Sequence, residues 1–453
     1  MSSLKEVVAH AMTLHRQGDE DGAAAVFEKL LKAKPTEPLA LDYLGTRANK
    51  KGDYKTAITL LRQALVQPKC RAAVRLQLGH ALRDSGQLID AADTYRRYVT
   101  DSSDSIGASV LADVLFDLDR IHEAETVLRQ AIEWKPGYVK ALCQLARACD
   151  EEHKPTDAAE FRQQAVDSEE TGKQIGLMKA AAHVDLGNIE EAFDALDDSV
   201  NGLFGEAFDD AIKALDLTTL PDLQGKLPSA MGVPLIVACG DPFYVRRYGP
   251  ALARSVAANS QGSDFHLHVV IPGLEGEPPP LPADMPGHSL TWEVERDANR
   301  VTFSTRRFVR AAALMRMMDR PLVLIDIDSI ANKDIATANT GLPPFDVAMR
   351  YEKSEIFLNQ RASAAFLTLA PTSAAQKYID AVAAYIQHFE RNGTALWSLD
   401  QMALLAARYK FLAPDSRDTV KIVDVPDRYV DWRRHGPDSV LWTTKGAGKA
   451  LPK

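Results

Sequence analysis

Cysteine is scarce in this chain of 453 residues: there are four, Cys70, Cys143, Cys149 and Cys239, and no two stand at C-x-x-C spacing. Neither a zinc knuckle nor a disulfide framework is indicated, and a reducing compartment fits. Positive charge is also short. A formal net charge of -9 argues against a nucleic-acid binder that works through bulk basicity, although local basic patches stay open. No apolar run approaches the about 18 residues of a membrane span. The start, Met1 to His10, lacks a basic segment followed by an apolar stretch of signal-peptide length. The expectation is a cytoplasmic protein without a membrane span. What is present is ordinary for a soluble globular chain, 46% hydrophobic and 25% charged, and the length suggests two or three domains.

The first half has self-similarity instead of local motifs. Small residues recur at Ala23, Ala57, Ala91, Ala124, Ala158 and Ala192, with successive spacings of 34, 34, 33, 34 and 34 residues. A turn such as Gly18-Asp19, Gly52-Asp53-Tyr54, Gly86-Gln87 or Gly187-Asn188 precedes the alanine. Phe27, Leu61, Tyr95, Leu128 or Leu196 follows it by four, and Pro35 or Pro136 closes the second helix. The first helix of a unit carries Leu41-x-x-Leu44-Gly45 or Leu78-Gly79, apolar on one face at helical spacing. Two units depart from the pattern. Asp119-Arg120 and His153 stand where glycine is expected, and Arg162 takes the large apolar position of the fifth unit.

These residues resemble the tetratricopeptide repeat over roughly residues 4–205. Small residues allow close helix crossing, the large residue fills the neighbouring groove, and each unit buries its face only against the next. The resemblance implies an α-solenoid whose concave face binds a protein or peptide, with no catalysis of its own. The expected domains are a repeat solenoid with a short helical tail over 1–217, a connection rich in Pro and Gly over 218–232, and a second domain over 233–453.

In the second half the period changes. Strands are predicted at 234–239, 265–271, 290–295, 322–326, 346–350 and 364–369, and helices at 245–258, 305–318, 373–390 and 398–409. That alternation argues for an α/β fold with a mostly parallel sheet covered on both faces, whose ligands bind at the carboxyl ends of the strands. The apolar run Pro321 to Ile325 ends in Asp326-Ile327-Asp328-Ser329. In an extended strand alternate side chains share a face, so Asp326 and Asp328 are expected to project together, roughly 7 Å apart at the Cα level, with Ile325 and Ile327 turned into the core. Paired carboxylates suit Mg²⁺ or Mn²⁺, hard cations that often bridge to a substrate diphosphate. Asp is also common where a strand runs out into a turn.

Four stretches, in order, resemble a nucleotide-diphospho-sugar glycosyltransferase of the GT-A fold with a DxD motif. They are Leu235 to Asp241 with the helix after it, Thr305 to Arg310 leading into Arg320 to Asp328, Phe357-Leu-Asn359 through Leu367, and Trp397-Ser-Leu-Asp-Gln401. The resemblance implies a donor site at Cys239, Gly240, Asp241, Arg307, Arg310 and Asp326, a Mn²⁺ or Mg²⁺ at Asp326 and Asp328, and Asp400 and Asn359 beside the donor sugar and acceptor. Asp400 is a base or an acceptor-positioning group. Asn359 also suits a turn, and Ser398-x-x-Gln401 also reads as a capping box. The family often ends in His-x-x-Gly-x-x-Lys, matched here by Thr443, Gly446 and Lys449. A threonine is a poorer metal ligand than imidazole, while Gly446 and Lys449 still offer amides and an ammonium to a diphosphate. The implied partners are a nucleotide-sugar donor and a protein, peptide or glycan acceptor brought by the repeats. The competing reading is a scaffold whose transferase-like domain is inactive or only binds nucleotide-sugar.

Overall fold

A computed structural model describes residues 4–68, 70–196, 202–277, 288–413, 419–431 and 435–443. The chain forms two compact units, Met1–Glu170 and Thr171–Lys453.

The first unit consists of helix pairs: α1 Leu4–Arg16 with α2 Glu20–Ala33, α3 Pro38–Lys50 with α4 Tyr54–Leu65, α5 Ala73–Asp84 with α6 Leu88–Ser102, α7 Ser105–Asp117 with α8 Ile121–Trp134, and α9 Val139–Glu151 with α10 Pro155–Asp167. The turns inside the pairs explain the period. Gly18, Gly52 and Gly86 have φ of 85, 79 and 81°, left-handed values that glycine adopts without steric cost. Asp119 and His153 hold the same turn position at φ 58 and 59°, so the departures from glycine keep the turn and carry its strain. Ala23, Ala57, Ala91, Ala124 and Ala158 are fully buried. A Cβ at Gly45 would stand 2.7 Å from Leu61 Cγ, and one at Gly79 would overlap the Tyr95 ring. Arg162 is buried with its guanidinium on Asp150, so a salt bridge replaces the apolar groove filler in that unit.

The sixth pair, α11 Lys173–Asp185 and α12 Ile189–Asp194, belongs to the second unit. Leu177, Ala180, Ala181, Ala192 and Phe193 lie in the same apolar cluster as the sheet and its helices. Asp185 accepts two hydrogen bonds from Arg361, at 2.8 and 2.9 Å, with both side chains buried. The helical tail is α13 Gly205–Lys213.

The core of the second unit is an eight-stranded sheet. Its strands are β1 Gln224–Gly225, β2 Leu235–Gly240, β3 Asp264–Pro272, β4 His288–Glu295, β5 Leu322–Asp326, β7 Val347–Tyr351, β8 Ala362–Leu369 and β9 Ile422–Asp424, in spatial order β1-β4-β3-β2-β5-β8-β7-β9. A second, three-stranded sheet contains β6 Ser329–Ala331, β10 Val430–Asp431 and β11 Leu441–Thr443, in the order β10-β11-β6. Strands β4, β3, β2 and β5 run parallel, but β8 lies antiparallel to both β5 and β7. The sheet is therefore mixed: its β2–β3, β2–β5, β3–β4 and β7–β9 pairings are parallel, and β1 and β8 enter antiparallel. Covering it are α14 Pro242–Asn259, α15 Arg300–Met315, α16 Ile335–Thr340, α17 Ser373–Arg391 and α18 Leu399–Leu412. Strands β2, β5 and β8 are almost wholly buried because they are covered on both faces, which is why they read as continuous apolar runs.

The expected connection at 218–232 is part of this unit. Strand β1 pairs antiparallel with β4. Arg320, 1% exposed, donates to the carbonyls of Ser229 and Val233 at 3.1 and 2.6 Å and to Asp264 at 2.5 Å. A buried guanidinium fixes the segment to the sheet.

Candidate functional site

The end of β5 differs from the pattern of a continuous strand. The strand stops at Asp326, Ile327 and Asp328 form a turn, and Ser329 opens β6 in the other sheet. Asp326 and Asp328 are thus not alternate residues of one strand: the Asp326 side chain is 33% exposed while Asp328 is buried. Ile325 and Ile327 do enter one apolar cluster, and Ile327 packs so close to Gly240 that a Cβ there would stand 3.2 Å from its Cδ1.

Helix α15 delivers the cation. Arg307, 4% exposed, donates to Asp326 at 2.6 Å and to the Ala364 carbonyl of β8 at 2.8 Å, and its guanidinium lies 4.0 Å from Asp400. Burial works against its charge, but Asp326 and Asp400 outweigh that and raise its pKa. Asp400 stands in the first turn of α18, buried, with its carboxylate accepting from the Gln401 amide at 2.9 Å. Burial pushes its pKa up to about 6; Arg307 opposes the rise and Asp326 adds to it. The result is a carboxyl poised near neutrality beside a fixed guanidinium and a second carboxylate, at the carboxyl end of a central strand.

Helix α18 begins without the expected capping box. Ser398 sits at φ 83° and makes no side-chain cap hydrogen bond, because the left-handed backbone replaces the extended N-cap geometry that the box needs.

The remaining predicted residues divide. Cys239 is buried and in register with Asp326; burial raises its thiol to about 12, which keeps it protonated and no nucleophile. Gly240 ends β2 beside the site. Asp241 caps α14, accepting from Phe243 and Tyr244 amides at 2.6 and 2.8 Å. Arg310, expected beside the diphosphate, is held in another ion pair. It binds the fully buried Glu293, with Nε at 2.6 Å, and donates to the Pro221 carbonyl at 2.5 Å. Arg306 reaches Glu295 at 2.6 Å and lies 3.2 Å from Glu293. Burial alone would raise Glu293, but His268, Arg306 and Arg310 together hold its carboxyl at about 2. Asn359 lies in the 3-10 turn Leu358–Gln360, and its Oδ1 is buried without a hydrogen-bond partner among the described residues. Gly446 and Lys449 lie outside the described residues.

Thr443 is brought to the acidic turn. Strand β11 pairs antiparallel with β6, with Thr443 opposite Ser329, the residue after Asp328. His435 Nε2 lies 3.2 Å from the Thr443 carbonyl, and Trp442 Nε1 donates to the Gly436 carbonyl at 3.0 Å, so both brace that strand. Ser329 Oγ, also buried, has no hydrogen-bond partner among the described residues. Asp326, Asp328, Ser329 and Thr443 offer oxygen atoms of the kind a hard divalent cation takes, although Asp326 is engaged by Arg307. Ser329 was not singled out from the sequence; its register against Thr443 is what identifies it. A different group occurs in the first unit: ligand atoms of His122, Glu125 and Glu152 lie within 4.8 Å of one another. There Lys154 Nζ already reaches Glu125 and Glu152 at 3.2 and 2.5 Å.

Residues 44–106 and 109–138 match models of the tetratricopeptide repeat, and the N-terminal region carries these repeats. Among solved structures, MamA is similar at 23% identity over 35% of this chain and 92% of its own, with a TM-score of 0.33. YrrB, described as a tetratricopeptide protein with an unusual peptide-binding site, is similar at 20% identity over 36% of this chain and 84% of its own, TM-score 0.33. PilF of Pseudomonas aeruginosa is similar at 14% identity over 42% and 87%, TM-score 0.36. No curated protein matches the chain.

Proposed function

We propose that the second unit is a GT-A-fold glycosyltransferase that moves a sugar from a nucleotide-diphosphate donor to an acceptor hydroxyl, and that the repeats recruit the acceptor or a partner protein. The observation that carries this reading is the convergence of Arg307, Asp326 and Asp400 at the carboxyl end of β5. The mixed strand order and the return of β11 to the acidic turn support it. The repeat match supports the recruiting role.

In this mechanism the donor's sugar–phosphate bond breaks with its electron pair on the leaving diphosphate, and the acceptor oxygen forms the new bond to the sugar carbon. Arg307, immobilised by Asp326 and the Ala364 carbonyl, supplies positive charge beside the place where charge develops. Asp400, with a pKa of about 6, is ionised at neutral pH and takes the proton of the acceptor hydroxyl. Asn359 Oδ1, without a partner among the described residues, would accept from a sugar hydroxyl. A Mn²⁺ or Mg²⁺ would be held by Asp326 and Asp328, with Ser329 near, and would neutralise the diphosphate. No described helix is long and apolar enough to cross a membrane.

The second reading is a scaffold whose transferase-like unit is inactive, favoured by Thr443 in place of an imidazole and by the Arg307 ion pair on Asp326. Incubation with Mn²⁺ and a panel of UDP-, GDP- and other activated sugars, followed by nucleotide release, separates the two. Turnover with one donor is expected; a folded sample that releases nothing and shows no nucleotide-induced thermal shift would leave the scaffold.

A further inference from the structure

Trp397 is 55% exposed, large for a side chain that is highly buried on average, and it stands three residues before Asp400. The guanidinium carbon of Arg300 lies 3.8 Å from its ring centroid. Arg300 and Arg307 are seven residues apart on α15, two turns, so they share a face at a separation of roughly 10 Å. Arg307 meets Asp400 and Arg300 meets Trp397, which makes two rungs between α15 and the segment entering α18. Between the rungs Ser398 holds a left-handed backbone at φ 83°, unusual for a residue with a side chain and sustained only where the surroundings fix it. The indole is thereby set in place before any ligand arrives.

Its position relative to the sheet decides what it can meet. Strands β2 and β8 flank β5 on opposite sides. Gly240 and Asp241 lie at the end of β2, whereas α18 packs on β8. Trp397 lies where α15 meets the entry of α18, three residues before Asp400.

The geometry points to Trp397, braced by Arg300, as a stacking platform for a pyranose ring of a saccharide acceptor. The inference rests on the transferase reading and names its acceptor class: a glycan. An indole face is electron-rich and matches the C–H face of a pyranose; Arg300 stacks over one face and fixes the ring, and the half-exposed indole offers the other.

The test is saturation-transfer NMR on the full chain with methyl glycosides of glucose, galactose, mannose and N-acetylglucosamine, alongside calorimetric titration of UDP and GDP. The expected result is transfer to at least one glycoside, cut at least fivefold in Trp397→Ala, kept in Trp397→Phe, with nucleoside diphosphate binding unchanged by either. Equal transfer in Trp397→Ala, or no transfer from the wild type, overturns the platform. Glycoside binding through Trp397 without any nucleoside diphosphate binding upholds the platform and removes the transferase reading. Nucleoside diphosphate binding without glycoside binding does the reverse.

Discussion

Asp400 carries two consequences in one side chain. Its carboxyl is raised from an ordinary value of 3.8 to about 6, so the folded protein binds that proton more tightly than the unfolded chain does. Stability linked to this group is then highest at low pH and falls as pH rises from about 4 to about 6, staying level above. Asp400→Asn removes the cost of burying the charge, and we expect it to stabilise the second unit at pH 7 by up to about 3 kcal/mol, with no gain below pH 4. Denaturant titrations of both proteins across pH check the sign; a variant less stable at pH 7 than the wild type contradicts it. The same substitution should remove transfer, and the wild-type rate should fall about tenfold per pH unit below 6. The identity of this residue was visible from its resemblance to an Asp-Gln helix start. Its perturbation was not, because burial and a neighbouring guanidinium come from α15, about ninety positions earlier in the chain.

At the level of elements, the repeats show which part of a pattern is physics and which is residue choice. His153 keeps the left-handed turn that glycine makes elsewhere, at φ 59°. His153→Gly is expected to stabilise the first unit by about 0.5 kcal/mol, the relief of strain less the extra freedom glycine has in the unfolded chain. Gly79→Ala should act in the other direction. Its Cβ meets the Tyr95 ring, whose hydroxyl lies 2.6 Å from His80 Nδ1 and cannot swing aside freely, so a loss of about 1–3 kcal/mol is expected. Thermal unfolding of the two variants reads both signs. Long strands and helices of the second unit were legible from continuous apolar runs and from the 3.6-residue period respectively. Strands β1, β6, β10 and β11 have two or three residues each, too few to show a period, and their places come from pairing alone. The antiparallel entry of β8 was hidden for a related reason. A strand covered on both faces shows no direction in its sequence.

For the whole molecule, α11 and α12 join the second unit through apolar packing and one buried ion pair. Arg361 and Asp185, both buried and bonded twice, tie α11 into the sheet-bearing unit beside the turn of Asn359. Removing one partner of a buried pair leaves the other uncompensated, so Asp185→Asn is expected to cost about 3 kcal/mol. Hydrogen exchange should place that loss in the second unit, with protection in the first unchanged; equal loosening of both contradicts the partition. Sequence periodicity assigned α11 and α12 to the repeats, and their alanine and turn glycine do fit the repeat. Nothing in a period says which neighbour a repeat packs on. The same limit hid the Glu293 network, in which Arg306 and Arg310 are internal counter-ions while Arg307, between them, faces the acidic turn. Helical geometry separates adjacent residues by about 100°, but only the fold says which of three arginines meets which acid.

The central claim is that Asp326 belongs to a nucleoside diphosphate site. Calorimetric titration of UDP and GDP, with Mn²⁺ present, into the wild-type protein and Asp326→Asn tests it most directly, since this side chain is partly exposed and its replacement keeps a hydrogen bond to Arg307. Binding of at least one nucleotide by the wild type is expected, and at least tenfold weaker binding by the variant. Equal affinity in the two proteins, or no binding by a folded wild type, would contradict it.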